Sequence, residues 1–220
     1  MIDEEQLRQW IEMRQAKPGF LQDIESEIAG SGHENEQIFY SQVNLLKILV
    51  TVRRATRILE LGTFLGFSTS VFTKALEDLG GGSICTVDQS AEAVSKARSV
   101  VYAPESVDIS YRVGDAESVC HELLADDRRF DLVLLDVDES CYPQLFSLCV
   151  DLLETAGILV IDNLLMATVA GWHSGENVVE ADGNPKMTAL RRTIELIQQE
   201  DRVESAIVPL GSGMGLCVKR

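Results

Sequence analysis

Between residues 56 and 163, short runs of apolar and β-branched residues alternate with stretches whose apolar positions recur every three or four residues. RILEL is followed by GFSTSVFTKALEDL, SICTVD by AEAVSKARSVV, and VDISYRVGD by a helical pattern over Ala116 to Ala125. FDLVLLD then precedes a helix over Tyr142 to Leu153, and GILVIDN closes the series. A strand with one face in water alternates apolar and polar residues. LVLL in the fourth run and ILVI in the fifth stay apolar at successive positions, as strands covered on both faces by crossover helices do. Five such units predict an α/β chain built on a parallel, doubly wound sheet.

The flanks read differently. Residues 1–55 carry helical patterns, QVNLLKILVTV being the most apolar, and are expected to form a helical cap over the sheet edge and the mouth of a site. After Asn163 comes a loop rich in Gly, Asn and His up to residue 184, then a helix from Lys186 to about Gln199. RVESAIVPL and, after GSG, MGLCVKR read as an antiparallel hairpin added to the sheet. The chain is therefore read as one domain: cap 1–55, core 56–163, acceptor loop 164–184, closing helix and hairpin 185–220.

Charge narrows the partners. Nineteen Lys and Arg against 35 Asp and Glu give a net charge of -16, which repels nucleic acid and anionic membrane surfaces. No apolar stretch approaches the roughly 20 residues that span a bilayer. The five cysteines form no CxxC pair and read as reduced packing residues. A cytoplasmic protein handling small molecules is expected.

Ligands of open parallel sheets bind beyond the carboxyl ends of the strands. The first strand runs into LELGTFLGFSTS, where glycines allow close approach of the backbone to a ligand. This is not the GxGxxG of dinucleotide binders: position 64 is Phe, and Glu60 puts a negative charge where a pyrophosphate would approach. S-adenosylmethionine, with an ammonium and a sulfonium and no phosphate, suits the turn. Asp88, at the end of the second strand, is placed for the ribose hydroxyls, and Asp115 and the Ala116 N–H for adenine. Phe64, Phe67 and Phe72 follow a helical face and are read as core. Strands four and five end in Asp136 and Asp162-Asn163, two carboxylates and an amide oxygen that suit Mg²⁺, with Mn²⁺ or Ca²⁺ also possible.

In order, LELGTFLGFSTS, TVDQS, GDA, FDLVLLDVDESCY, GILVIDN and PLGSGMGLCVKR make the chain from about Gln42 to Arg220 resemble the metal-dependent O-methyltransferases of the caffeoyl-CoA and catechol type. The resemblance implies a Rossmann-like class I methyltransferase fold, with a seven-stranded mostly parallel sheet, a C-terminal antiparallel hairpin and helices on both faces. It implies that Glu60, Gly62, Ser68, Asp88 and Ala116 hold S-adenosylmethionine, with Asp115 and Asp136 beside it. It further implies that Asp136, Asp162 and Asn163 hold the divalent metal. Two adjacent hydroxyls of a small-molecule acceptor would chelate the ion, and Trp172 and His173 would belong to a lid over the acceptor. A homodimer is also implied.

One position departs from the family pattern. The strand-four motif there runs Asp-x-Asp-Lys, and Glu139 stands in place of the lysine. Glu139 is read either as a general base near the metal or as a solvated acid at a helix start. The substitution leaves room for altered chemistry on an amine, a hydroxamate or an aliphatic hydroxyl. A dinucleotide-dependent oxidoreductase and a non-catalytic cofactor binder are the remaining readings.

Overall fold

The computed structural model describes residues 6, 10–28, 39–166 and 184–220. Among the described residues, helices α1 (Gln22–Ile28) and α2 (Tyr40–Arg53) precede the alternating core. The core runs β1 (Arg57–Leu61), α3 (Phe67–Asp78), β2 (Gly82–Asp88), α4 (Ala91–Val100), β3 (Val107–Val113) and α5 (Ala116–Ala125). It continues with β4 (Phe130–Leu135), α6 (Tyr142–Leu152), β5 (Leu153–Ile161), α7 (Pro185–Gln199), β6 (Val203–Val208) and β7 (Met214–Lys219). One seven-stranded sheet has the order β3-β2-β1-β4-β5-β7-β6. The first five strands are parallel, and β7 pairs antiparallel with both β5 and β6. The expected class and hairpin are both present, with the last strand, β7, lying between β5 and β6.

Pleating divides the core in two. Leu59, Leu61, Val133, Leu135, Leu159 and Ile161 turn to the face covered by α5, α6 and α7. Ile58, Leu132, Leu134, Ile158 and Val160 turn to the opposite face, under α2 and α3. A fully buried Leu, Ile or Phe contributes about 1.5–3 kcal/mol, so both layers are needed. Helix starts are written locally: Ser90 caps α4, Asp115 caps α5 and Asn184 caps α7.

Within the N-terminal cap, α2 packs on a face of the sheet. Val43, Leu46 and Val50 of α2 are fully buried against that second face. The C-terminal end of α2 is tied down by Asp131, near the start of β4. Its Oδ2 accepts the N–H groups of Thr56 at 2.9 Å and Arg57 at 3.0 Å, and its Oδ1 accepts Arg53 at 2.9 Å. Cys85, Cys120, Cys149 and Cys217 are buried and unbridged, and Cys141 is exposed. Among the described residues, no helix is long and apolar enough to cross a membrane.

Candidate active site

Strand register explains why acids converge at one end of the sheet. Leu61, Leu135 and Ile161 stand in one row across β1, β4 and β5. The ladder continues one step, the Asp136 N–H donating to Leu61 and the Asp162 N–H to Leu135. Successive side chains alternate faces, so Asp136 and Asp162 fall on the face of Leu134 and Val160, and Glu60 on that same face one period earlier. At this point the sheet order changes direction, between β1 and β4. A cavity of about 420 Å³ opens there.

Gly62, Phe64, Asp88, Asp115 and Ala116 line one end of the cavity. Gly62 has φ +108°, and a Cβ there would stand 1.8 Å from the Asp136 carbonyl oxygen, so strand packing as well as ligand approach excludes a side chain. Asp88 accepts the Phe64 N–H at 2.9 Å and the Ser90 N–H at 2.8 Å. Its oxygens retain lone pairs for hydroxyl donors. Asp115 accepts the Ser118 N–H and hydroxyl, both at 2.9 Å, bonds that hold its carboxyl below the ordinary value while it caps α5.

Glu60 and Ser68 lie behind this wall. The Glu60 carboxylate is fully buried, its Oε2 bonded by Thr69 and Thr86, while Oε1 has no partner. Burial drives its pKa up to about 7 against the hydrogen bonds of Ser68, Thr69 and Thr86. A buried carboxylate with an idle oxygen fits a cationic ligand group.

The other end of the cavity is acidic and includes Asp136, Asp138, Glu139, Asn163 and Lys186. Among the described residues nothing donates to the Asp136 carboxylate. Burial, then the charges of Asp162, Glu60 and Glu139, push it well above the carboxylate range. Asp162, just behind, is driven to about 6 by burial, although the Asn163 N–H and Gln42 hydrogen-bond to it. Asn163 donates Nδ2 to Glu139 at 3.3 Å, which leaves its amide oxygen as an acceptor. No three acid, imidazole or thiol side chains among the described residues form a chelating group. Two carboxylates and an amide oxygen nonetheless fit a hard divalent ion that takes its other ligands from water or a substrate.

Glu139 is neither solvated nor unpaired. It is buried in a 3₁₀ turn over Glu139–Cys141 and accepts the Lys186 ammonium at 2.8 Å. The same ammonium lies 2.8 Å from Asp138, whose carboxyl it draws down to about 2 with help from Ser140. Its burial against the ammonium corrects the reading of Glu139 as a solvated acid at a helix start. The positive charge missing from position 139 is brought by α7 instead.

Two further expectations change. Phe64 is not core: it lines the cavity with φ +44°, because α3 begins only at Phe67, after Gly66. Phe67 and Phe72 are buried as read. Trp172 and His173 lie outside the described residues. Sequence reasoning also missed Gln42 and Lys186. The first sits in the capping box that opens α2, where its side chain accepts the Phe39 N–H, a local signal that hides its reach to Asp162.

A family model described as O-methyltransferase matches residues 12–220. A probable caffeoyl-CoA O-methyltransferase from Dictyostelium discoideum is 27% identical over 208 residues, covering 90% of this chain and 86% of that protein. Among solved structures, an O-methyltransferase from Bacillus cereus in complex with SAH superposes with a TM-score of 0.80 at 22% identity, covering 97% of each chain. The O-methyltransferase TomG from Streptomyces achromogenes, in complex with SAM, gives 0.80 at 20% identity, covering 100% of this chain and 99% of that one. The chain belongs to the O-methyltransferase family, a family of S-adenosylmethionine-dependent enzymes.

Proposed function

We propose that the enzyme methylates one oxygen of a small molecule bearing two adjacent hydroxyls, with a divalent cation held by Asp136, Asp162 and Asn163. The observation that carries this reading is the Asp136 carboxylate, which faces the cavity without a donor and is surrounded by other acids. The relatives named caffeoyl-CoA O-methyltransferases support the same acceptor class.

S-adenosylmethionine supplies the methyl group, and Mg²⁺ or a similar ion lowers the pKa of the acceptor hydroxyls when bound. The protein's own contribution is orientation. Asp88 accepts the ribose hydroxyls, Asp115 and the Ala116 N–H meet adenine, and Glu60, seconded by Ser68, balances the cofactor's positive charge. Gly62 and Phe64 shape the wall between cofactor and acceptor. Asp136 lies next to both ends of the cavity and belongs to both sets. Holding the reacting atoms in line contributes more than any single contact.

Methyl transfer to caffeic acid, followed in EDTA and after Mg²⁺ is restored, tests the reading. Turnover that depends on Mg²⁺ supports it. Full turnover in EDTA removes the metal, and transfer to amines or aliphatic alcohols in place of catechols replaces the acceptor class.

A further inference from the structure

We infer that Lys186 receives the reacting oxygen of the acceptor, and that Asp138 and Glu139 are the residues that hold its ammonium in place. This rests on the reading of the cavity as an O-methylation site. Among the described residues that line the cavity, Lys186 is the one Lys or Arg. An ammonium has three N–H donors. Two are spent, on Asp138 Oδ2 at 2.8 Å and Glu139 Oε2 at 2.8 Å, and the third has no acceptor among the described residues.

The lysine stands where helix physics disfavours it. It is in the first turn of α7, directly after the Asn184 cap and Pro185, and a cation there opposes the helix dipole by about 0.3–1 kcal/mol. An ion pair serving only to pin α7 accounts poorly for this choice. The Lys186 side chain is 46% exposed, as is that of Asp138, and such pairs contribute about 0–1 kcal/mol. Glu139, by contrast, is 9% exposed, and its burial makes sense if it anchors the ammonium from below.

The arrangement selects a chemistry. A fixed ammonium stabilises an acceptor oxygen that has released its proton to solvent. The S–CH₃ bond breaks as the O–CH₃ bond forms, and the sulfonium charge and the oxyanion charge cancel. The same ammonium disfavours an amine acceptor, which must be neutral to attack the methyl and gains a positive charge on nitrogen as the N–CH₃ bond forms. The acceptor class is thus narrowed to acidic hydroxyls, phenolic or hydroxamic, and away from amines.

The test uses 4-nitrocatechol, whose visible spectrum reports its ionisation, bound to the full chain with S-adenosylhomocysteine and Mg²⁺. In Lys186→Met the pH midpoint for ionisation of the bound probe is expected to rise by about one unit or more, and in Lys186→Arg to stay near the parent's. Glu139→Gln, which releases one holder of the ammonium, shifts it in the same direction by less. Calorimetric binding of S-adenosylhomocysteine, unchanged in all three, reports an intact fold. A midpoint in Lys186→Met equal to the parent's overturns the inference while the function stands. A parent protein that binds S-adenosylhomocysteine but no 4-nitrocatechol overturns the catechol reading and the inference with it.

Discussion

The Gln42 amide donates to Oδ1 of Asp162 at 2.6 Å, joining two buried side chains 120 residues apart in the chain. This bond aims a carboxylate of the acidic cluster from the helical layer beneath it. Partners of metal-binding carboxylates fix the ligand's orientation, and their loss weakens metal binding about 10- to 100-fold. Gln42→Leu is therefore expected to lower Mg²⁺ affinity by that factor while leaving S-adenosylhomocysteine binding intact. Titration calorimetry with both ligands reads the two effects separately, and an unchanged Mg²⁺ affinity would mean that Asp162 needs no positioning.

Glu60 makes the stability of the ligand-free protein depend on pH. Its carboxyl ionises near 4.5 in the unfolded chain and near 7 when folded, because burial opposes the charge. Across that window the folded state binds the extra proton, so stability falls as pH rises from 4.5 through 7 and then levels off. The loss amounts to roughly 3 kcal/mol at one unit per 1.36 kcal/mol. Glu60→Gln removes this contribution, so urea unfolding at pH 5 and pH 8 should show a flatter dependence than in the parent. Identical slopes in the two proteins would place the buried charge elsewhere.

Asp131 acts in the opposite sense and at the other end of the strands, near the start of β4. Burial raises its pKa, but the Thr56 and Arg57 N–H groups, the Thr56 hydroxyl and Arg53 hold it below 3.8. Its contribution is present above the unfolded value and is lost as pH falls through the folded one. Asp131→Asn leaves buried N–H groups poorly matched and is expected to cost about 1–3 kcal/mol in chemical unfolding at neutral pH. Cofactor binding should be untouched, since Asp131 lies near the start of β4 and the site beyond its end.

Gly62 reports the approach of β1 and β4. A Cβ there would collide with the Asp136 carbonyl oxygen at 1.8 Å, and the φ of +108° disfavours any side chain. Gly62→Ala is expected to lose about 2 kcal/mol or more of stability, read by thermal unfolding. A variant as stable as its parent would show that the two turns do not touch.

Much of this was legible in the chain itself. Apolar runs such as LVLL give away buried parallel strands, and the acids that end them give away the rim of the site. The cap at Asp115 was also local, an acid with Ser118 three residues on. What escaped depends on register and on contacts between distant elements. Lys186, 47 residues from Glu139, looks in sequence like helix surface, because an isolated lysine carries no mark of the carboxylates that will face it. The apolar period puts Phe64 in helical phase, whereas the helix starts three residues later, after a left-handed glycine that interrupts the period.

The central claim is that the acids at the ends of β4 and β5 hold a divalent cation for the acceptor. Calorimetric titration of Mg²⁺ into the protein with S-adenosylhomocysteine bound, with and without catechol, tests it most directly. The structure predicts one site in the parent, tightened by catechol, and no measurable site in Asp136→Asn, whose S-adenosylhomocysteine affinity falls far less. Mg²⁺ binding that is absent from the parent, or equal in Asp136→Asn, would contradict it.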